Sequence, residues 1–270
     1  MPRSDNQPKS TDTLKYFRWA INAALGAAFI LDVVMPDVLP KLDDLVIVLA
    51  AVASIAALNC RLPLQNVLLA AFIAALIGGA AHGLSARPTF AIPFGPVVFS
   101  SAAGAKIFYL VPWIIPLLWI VAVFNARGLA RLILRPWRKI KTYGFWLIGL
   151  TAVLVLAFDV ALEPFASHQV KGLWLWQPTK IKFTWFGATP LNFLGWAVVS
   201  LLILAFATPA LIKKQPSQRN TPDYHPLAVW LGALILFAVG SARAGLWWPV
   251  GVDTAIAAVT AVFAVRGGRW

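Results

Sequence analysis

"YGFWLIGLTAVLVLAFDVALEP", residues 143–164, carries no lysine or arginine, and its only carboxylates, Asp159 and Glu163, sit at its far end. Wound as a helix at about 1.5 Å per residue, such a run reaches across a hydrocarbon core of about 30 Å. Pro164 closes the apolar run at 143–163, and the chain beyond it is rich in tryptophan, with Trp174, Trp176, Trp185 and Trp196. The segment therefore reads as a membrane span that brings two acids to an aromatic loop.

The rest of the chain repeats the first half of that pattern. Hydrophobic residues make up 60% of the sequence and charged ones only 12%, which places it among integral membrane proteins. Apolar runs bounded by Pro, Gly and charge fall near 16–35, 44–59, 64–82, 107–126, 143–163, 189–212, 226–241 and 250–265. The expected fold is an all-α polytopic bundle of about eight spans. The second and seventh runs are short, so seven crossings plus a re-entrant segment also fit. The first run follows a polar, basic segment as a signal peptide's would, but it is long and reaches Asp32 and Pro36 without a small-residue cleavage motif, so it reads as a retained helix. With no internal repeat, residues 1–270 read as one integral membrane domain, with a polar tail at 1–15 and a basic connection at 127–142.

The net charge of +13 comes from 23 Lys/Arg against 10 Asp/Glu. Most basic residues lie between apolar runs, where they set orientation rather than bind nucleic acid. Assigned alternately, sixteen of them fall on the side holding both termini and seven on the other. The positive-inside rule then puts both termini in the cytoplasm of a multi-pass cell-membrane protein. The single cysteine, Cys60, excludes a disulfide framework and a CxxC redox or zinc site.

This topology gathers the unusual polar residues near the outer ends of the spans: Asp32, His82, Asp159, Glu163, Asn192, Ser241, Arg243 and Asp253. Ionisable groups at membrane depth tend to face a bundle interior and to mark function. Asp159 and the chain's only glutamate, Glu163, stand at i and i+4, on one helix face and close enough for each charge to oppose the other. Two readings fit: a carboxylic acid held neutral that delivers a proton to a weakly basic substrate, or a snorkelling pair at a helix end stopped by Pro164. The tryptophans likewise fit an interfacial belt, or, for Trp174 and Trp176, ring faces that stabilise a carbocation. "FAIPFG" (90–95) forces irregular backbone on the same side. HExxH, GxGxxG, P-loop and GxSxG motifs are absent, and three scattered histidines, His82, His168 and His225, give no metal box.

Several short motifs stand in the order of a known family. "AIPFG", Gly104, "VPWIIPLLW" (111–119), "DVALEP" (159–164), "WLW" (174–176) and "NFLGW" (192–196) resemble the carotenoid biosynthesis proteins that include carotenoid 1,2-hydratases and bisanhydrobacterioruberin hydratase. The likeness covers roughly residues 70–210. It implies a cofactor-independent hydratase, a hydro-lyase adding water across the terminal C1=C2 bond of an acyclic carotenoid; the missing metal motifs add that no metal is expected, a related polyene or isoprenoid is the other substrate that fits, and other carotenoid enzymes are expected associates. Where the family pattern has aromatic hydroxyls after PFG, this chain has Val97 and Phe99. Read from the residues, that chemistry would take Glu163 or Asp159 as the acid, with its partner holding the water and Asn192 orienting water or a carboxyl group. Trp174 and Trp176 form the wall; Trp196, Phe94 and His82 complete the substrate site. A different class fits the same residues: a small transporter or lipid- or isoprenoid-binding membrane protein that uses the polar cluster as a proton or ligand site.

Overall fold

A computed structural model describes residues 9–35, 42–167, 170–212 and 221–270. Pro36, His168 and the first eight residues of the polar tail lie outside the described residues. The described residues form eight long helices: α1 (Lys9–Val34), α2 (Leu42–Asn59), α3 (Leu64–Ser85), α4 (Ile114–Ile133), α5 (Tyr143–Ala166), α6 (Pro190–Ala207), α7 (His225–Arg243) and α8 (Trp247–Gly268). Each is long and apolar enough to cross a membrane, α6 together with the 3-10 turn that extends it to Leu211. The two runs that look short in sequence are full helices of 18 and 19 residues, so no re-entrant segment is required.

Helix α4 is the hub, packing against α2, α3, α5, α7 and α8. About 78% of its spanning window is buried, against 17% for α1 and 22% for α8, whose outer faces are left for lipid. Apolar contact with lipid gains little over apolar contact between helices, so close packing and internal hydrogen bonds specify the bundle. Asn125 of α4 donates to the Ser54 hydroxyl of α2 (2.9 Å) and to its own helix at Val121 (2.8 Å). Trp230 of α7 donates to Thr260 of α8 (3.1 Å). Exposed aromatic residues mark both helix ends: Trp19, Trp137, Trp146 and Trp270 at one, Tyr109, Phe183, Trp247 and Trp248 at the other, as interfacial belts do.

The fourth span differs from the run at 107–126. The helix occupies Ile114–Ile133 instead, and residues 106–112 form a small hairpin of β2 (Lys106–Ile107) and β3 (Val111–Pro112). Its tip holds Phe108 and Tyr109 at positive φ, both largely exposed. Arg127 does not end the span: it is buried within the bundle and donates to the Leu211 carbonyl at 3.2 Å. Hence the first half of the 127–142 connection is helical, and α1 likewise begins inside the 1–15 tail, at Lys9.

The connections 83–106 and 164–188 fold together over one end of the bundle. There β1 (Val97–Phe99) pairs antiparallel with β4 (Trp174–Trp176), setting Val97 opposite Trp176 and Phe99 opposite Trp174. Backbone bonds from Ser100 to Leu173 (3.0 Å) and from Gln177 to Pro96 (2.9 Å) extend the ladder. We call this end the carboxylate face; the other, where both described ends of the chain lie, is the termini face.

Candidate functional site

The carboxylate pair lies inside the protein. Asp159 and Glu163 are each 1% exposed, which removes the snorkelling reading. Helix α5 runs through Pro164 to Ala166, so the acids are not at its frayed end. A proline in a helix leaves the carbonyl four residues back without its N–H partner. Here that carbonyl, Val160 O, accepts the Trp185 indole N–H at 3.0 Å. Trp185 is aimed by a tight turn in which its backbone exchanges both hydrogen bonds with Ala188, with Phe186 and Gly187 at positive φ.

Strand β4 supplies the donors to Glu163. Residues two apart on a strand face the same way, and both Trp174 (3.1 Å) and Trp176 donate their indole N–H to Glu163 Oε1. Oε2 of the same carboxyl is buried with no hydrogen-bond partner. Each turns its indole N–H edge to the acid, a contact that neither the belt reading nor the ring-face reading includes. One turn deeper, Asp159 Oδ2 accepts from Asn192 Nδ2 at 2.7 Å, tying α5 to the first turn of α6.

An aromatic box adjoins this pair. His82 of α3 stacks on Phe94 with ring centres 4.3 Å apart, and Trp196 approaches it edge-on at 5.9 Å. Trp119 of α4 stacks on Trp196 at 4.2 Å. Phe99 joins the box to the acids, lying 6.0 Å from His82 and 6.3 Å from Trp174. The irregular "FAIPFG" segment is anchored by the Phe94 N–H on the Ser85 hydroxyl (3.0 Å), and the Phe94 side chain is fully buried. The close approach requires Gly195 on α6, because a Cβ there would run into the Pro93 carbonyl and the Phe94 ring; Gly78 of α3 admits the Trp119 indole in the same way. Both ring nitrogens of His82 and the indole nitrogen of Trp119 are buried without hydrogen-bond partners.

The other polar residues expected here separate from this centre. Asp32 and Asp43 share Lys171 at 3.6 and 3.0 Å, and Arg243 donates to the Val33 carbonyl. Asp253 and Ser241 are buried, with their side-chain oxygens unbonded, on α8 and α7. Beside the pair, an apolar cavity of about 60 Å³ is bounded by Phe158, Leu162 and Phe165 of α5 and by Trp174. Neither acid lines it, since its α5 walls lie one residue round the helix. Among the described residues no group of three or more His, Cys, Asp or Glu could hold a metal ion.

Trp119, Phe99 and Trp185 were not singled out as site residues, although Trp119 closes the "VPWIIPLLW" motif and Phe99 stands at a departure from the family pattern. Trp185 carries no signal beyond its type.

A helical bundle that buries two carboxyls, an amide and a tryptophan cluster at one face defines a polytopic membrane protein with an enclosed acid site. The sequence matches the family of carotenoid biosynthesis proteins over residues 43–260, about four-fifths of the chain, and the protein belongs to that family. It is a membrane protein of carotenoid biosynthesis, suited to a hydrophobic substrate drawn from the lipid. No curated protein and no solved structure matches it significantly.

Proposed function

We propose that the protein is a hydratase that adds water to the terminal C1=C2 bond of an acyclic carotenoid or related polyene, with Glu163 as the acid. One observation carries this reading: Glu163 is buried with Oε1 engaged by two indole N–H groups and Oε2 by none. Two negative charges one helical turn apart in so dry a place are costly. A proton shared by the pair removes that cost, and Oε2 is the oxygen left to hold it.

The chemistry balances with no further reagent. The Oε2–H bond breaks as its proton adds to C2, and the alkene electrons form the new C–H bond, leaving a tertiary cation at C1. Water attacks C1, and its second proton passes to Asp159, which Asn192 holds in place. Return of that proton to Glu163 restores the starting state, for a net gain of one water. Indole faces of Trp174 and Trp196, with Phe94 and Phe99, give the cation electron-rich neighbours and exclude bulk solvent. His82, without a bonded nitrogen in the box, shapes the seat of the end group beside Phe94. The indole N–H bonds of Trp174 and Trp176 fix the acid's rotamer, so these two residues position the donor as well as wall the site.

We read residues 1–270 as one integral membrane domain with both termini cytoplasmic, so that the acid site lies toward the outer leaflet. Expression in a lycopene-accumulating bacterium, followed by pigment mass spectrometry, tests the activity. A pigment heavier by one water supports it. Unaltered pigment that co-purifies with the protein would assign it to binding or transport.

A further inference from the structure

The termini face holds a polar pocket at the opposite end of the bundle from the acids. It has a volume of about 190 Å³, far above the roughly 10–15 Å³ that one water needs. Arg127 and Arg131 of α4, Arg135 and Arg138 just beyond it, and Arg61 after α2 line it, with Tyr143 at the start of α5. Asp223 is the only acidic residue among its described walls, and it pairs with Arg61 at 3.5 Å. Its described walls therefore hold five guanidinium groups and one carboxylate, of which Arg61 is paired and Arg135 is engaged elsewhere, donating to the Gly268 carbonyl at 3.2 Å.

Arg127 makes this more than a solvated basic surface. It is 5% exposed, and the hydrogen bond the structure shows for its guanidinium runs to a neutral carbonyl, Leu211 O at 3.2 Å. No ion pair engages Arg127 among the described residues. A buried guanidinium facing a cavity without a counter-charge is stabilised by an anion, and the planar fork of Arg matches phosphate oxygens. The pocket also lies at the level of an interfacial belt: Trp137 stands between Arg135 and Arg138, one residue after Pro136, Trp146 lies one turn into α5, and Trp270 follows α8, all three exposed. That is the depth of lipid headgroups, and basic pockets between helices at that depth take them.

We propose that the arginine pocket between α2, α4, α5 and α7 is a binding site for a phosphate group, of the kind carried by an anionic lipid headgroup or a small soluble phosphate. It stands apart from the acid site and does not depend on the hydratase reading.

The test uses the full-length protein in neutral detergent, with phosphatidylglycerol, phosphatidylcholine and inorganic pyrophosphate as probes and native mass spectrometry with intrinsic fluorescence as readouts. Arg127 is too buried to be a safe variant, so the pocket is probed by Arg131→Gln/Arg138→Gln, with Lys180→Gln/Lys182→Gln at the carboxylate face as control. Saturable phosphatidylglycerol binding, preferred over phosphatidylcholine and weakened at least about tenfold in the arginine variant alone, supports the site and assigns it to lipid. Pyrophosphate that binds alone and displaces phosphatidylglycerol, with the same dependence on the arginines, supports it and assigns it to a soluble phosphate. Absence of saturable binding by either anion, or equal loss in both double variants, overturns the proposal.

Discussion

Glu163 is held by two hydrogen bonds from one strand, and the consequences of changing either partner differ. Glu163→Gln keeps the shape and can still accept at its carbonyl oxygen, yet it has no carboxyl proton to transfer. Turnover of the polyene should fall about 10²-fold or more while the protein stays folded, as pigment analysis with a fluorescence melting curve would show; wild-type turnover would remove the acid role. Trp174→Phe/Trp176→Phe keeps two aromatic rings but leaves Oε1 buried without donors. It should cost about 1–3 kcal/mol of stability as well as activity. An interfacial or purely ring-face role predicts near-wild-type behaviour for that variant. Asp159→Asn should leave Glu163 and its indole partners in place but remove the group that takes water's second proton, again lowering turnover rather than stability.

At the scale of the element, α5 continues past Pro164 because Trp185 reaches back to the carbonyl that the proline strands. Trp185→Phe should therefore destabilise the protein by about 1 kcal/mol, the usual net value of one hydrogen bond. Pro164→Ala restores an N–H four residues beyond Val160, so in the double variant most of that loss should return. Melting curves of the four proteins complete a thermodynamic cycle; simple additivity would contradict the link. None of this was legible in the sequence, where Pro164 reads as the stop of a helix and Trp185 as one more belt residue. Hydropathy placed seven of the eight spans to within a few residues at their ends. It misplaced α4 for two physical reasons: Arg127 is buried inside the bundle although its charge reads as an end, and Phe108–Leu110 sit in a hairpin although their apolarity reads as helix. The i, i+4 acids and the "WLW" and "NFLGW" motifs pointed to the site. The pairing of β1 with β4, which joins residues more than seventy positions apart, has no local signal, and so the N–H role of the tryptophans and the part of Phe99 came only from the fold.

For the whole molecule, the eight helices among the described residues bring Trp270 to the same face as Lys9, and the two connections that build the site meet on the opposite one. In a Cys60→Ser background, cysteines placed at the exposed positions Ser101 and Thr179 should be labelled by an impermeant reagent from one side of the membrane and one at Lys141 from the other. The positive-inside rule makes the first pair external. Labelling of Ser101 and Thr179 from opposite sides would contradict the architecture itself. The central claim, that buried carboxyls hydrate a polyene end, is tested most directly with purified protein and an acyclic carotenoid in water enriched in heavy oxygen. The account predicts a product gaining one water whose hydroxyl carries the heavy isotope, formed by the wild type and about 10²-fold more slowly by Glu163→Gln. Recovery of unaltered carotenoid from the wild type, or a hydroxyl oxygen drawn from dioxygen, would contradict it.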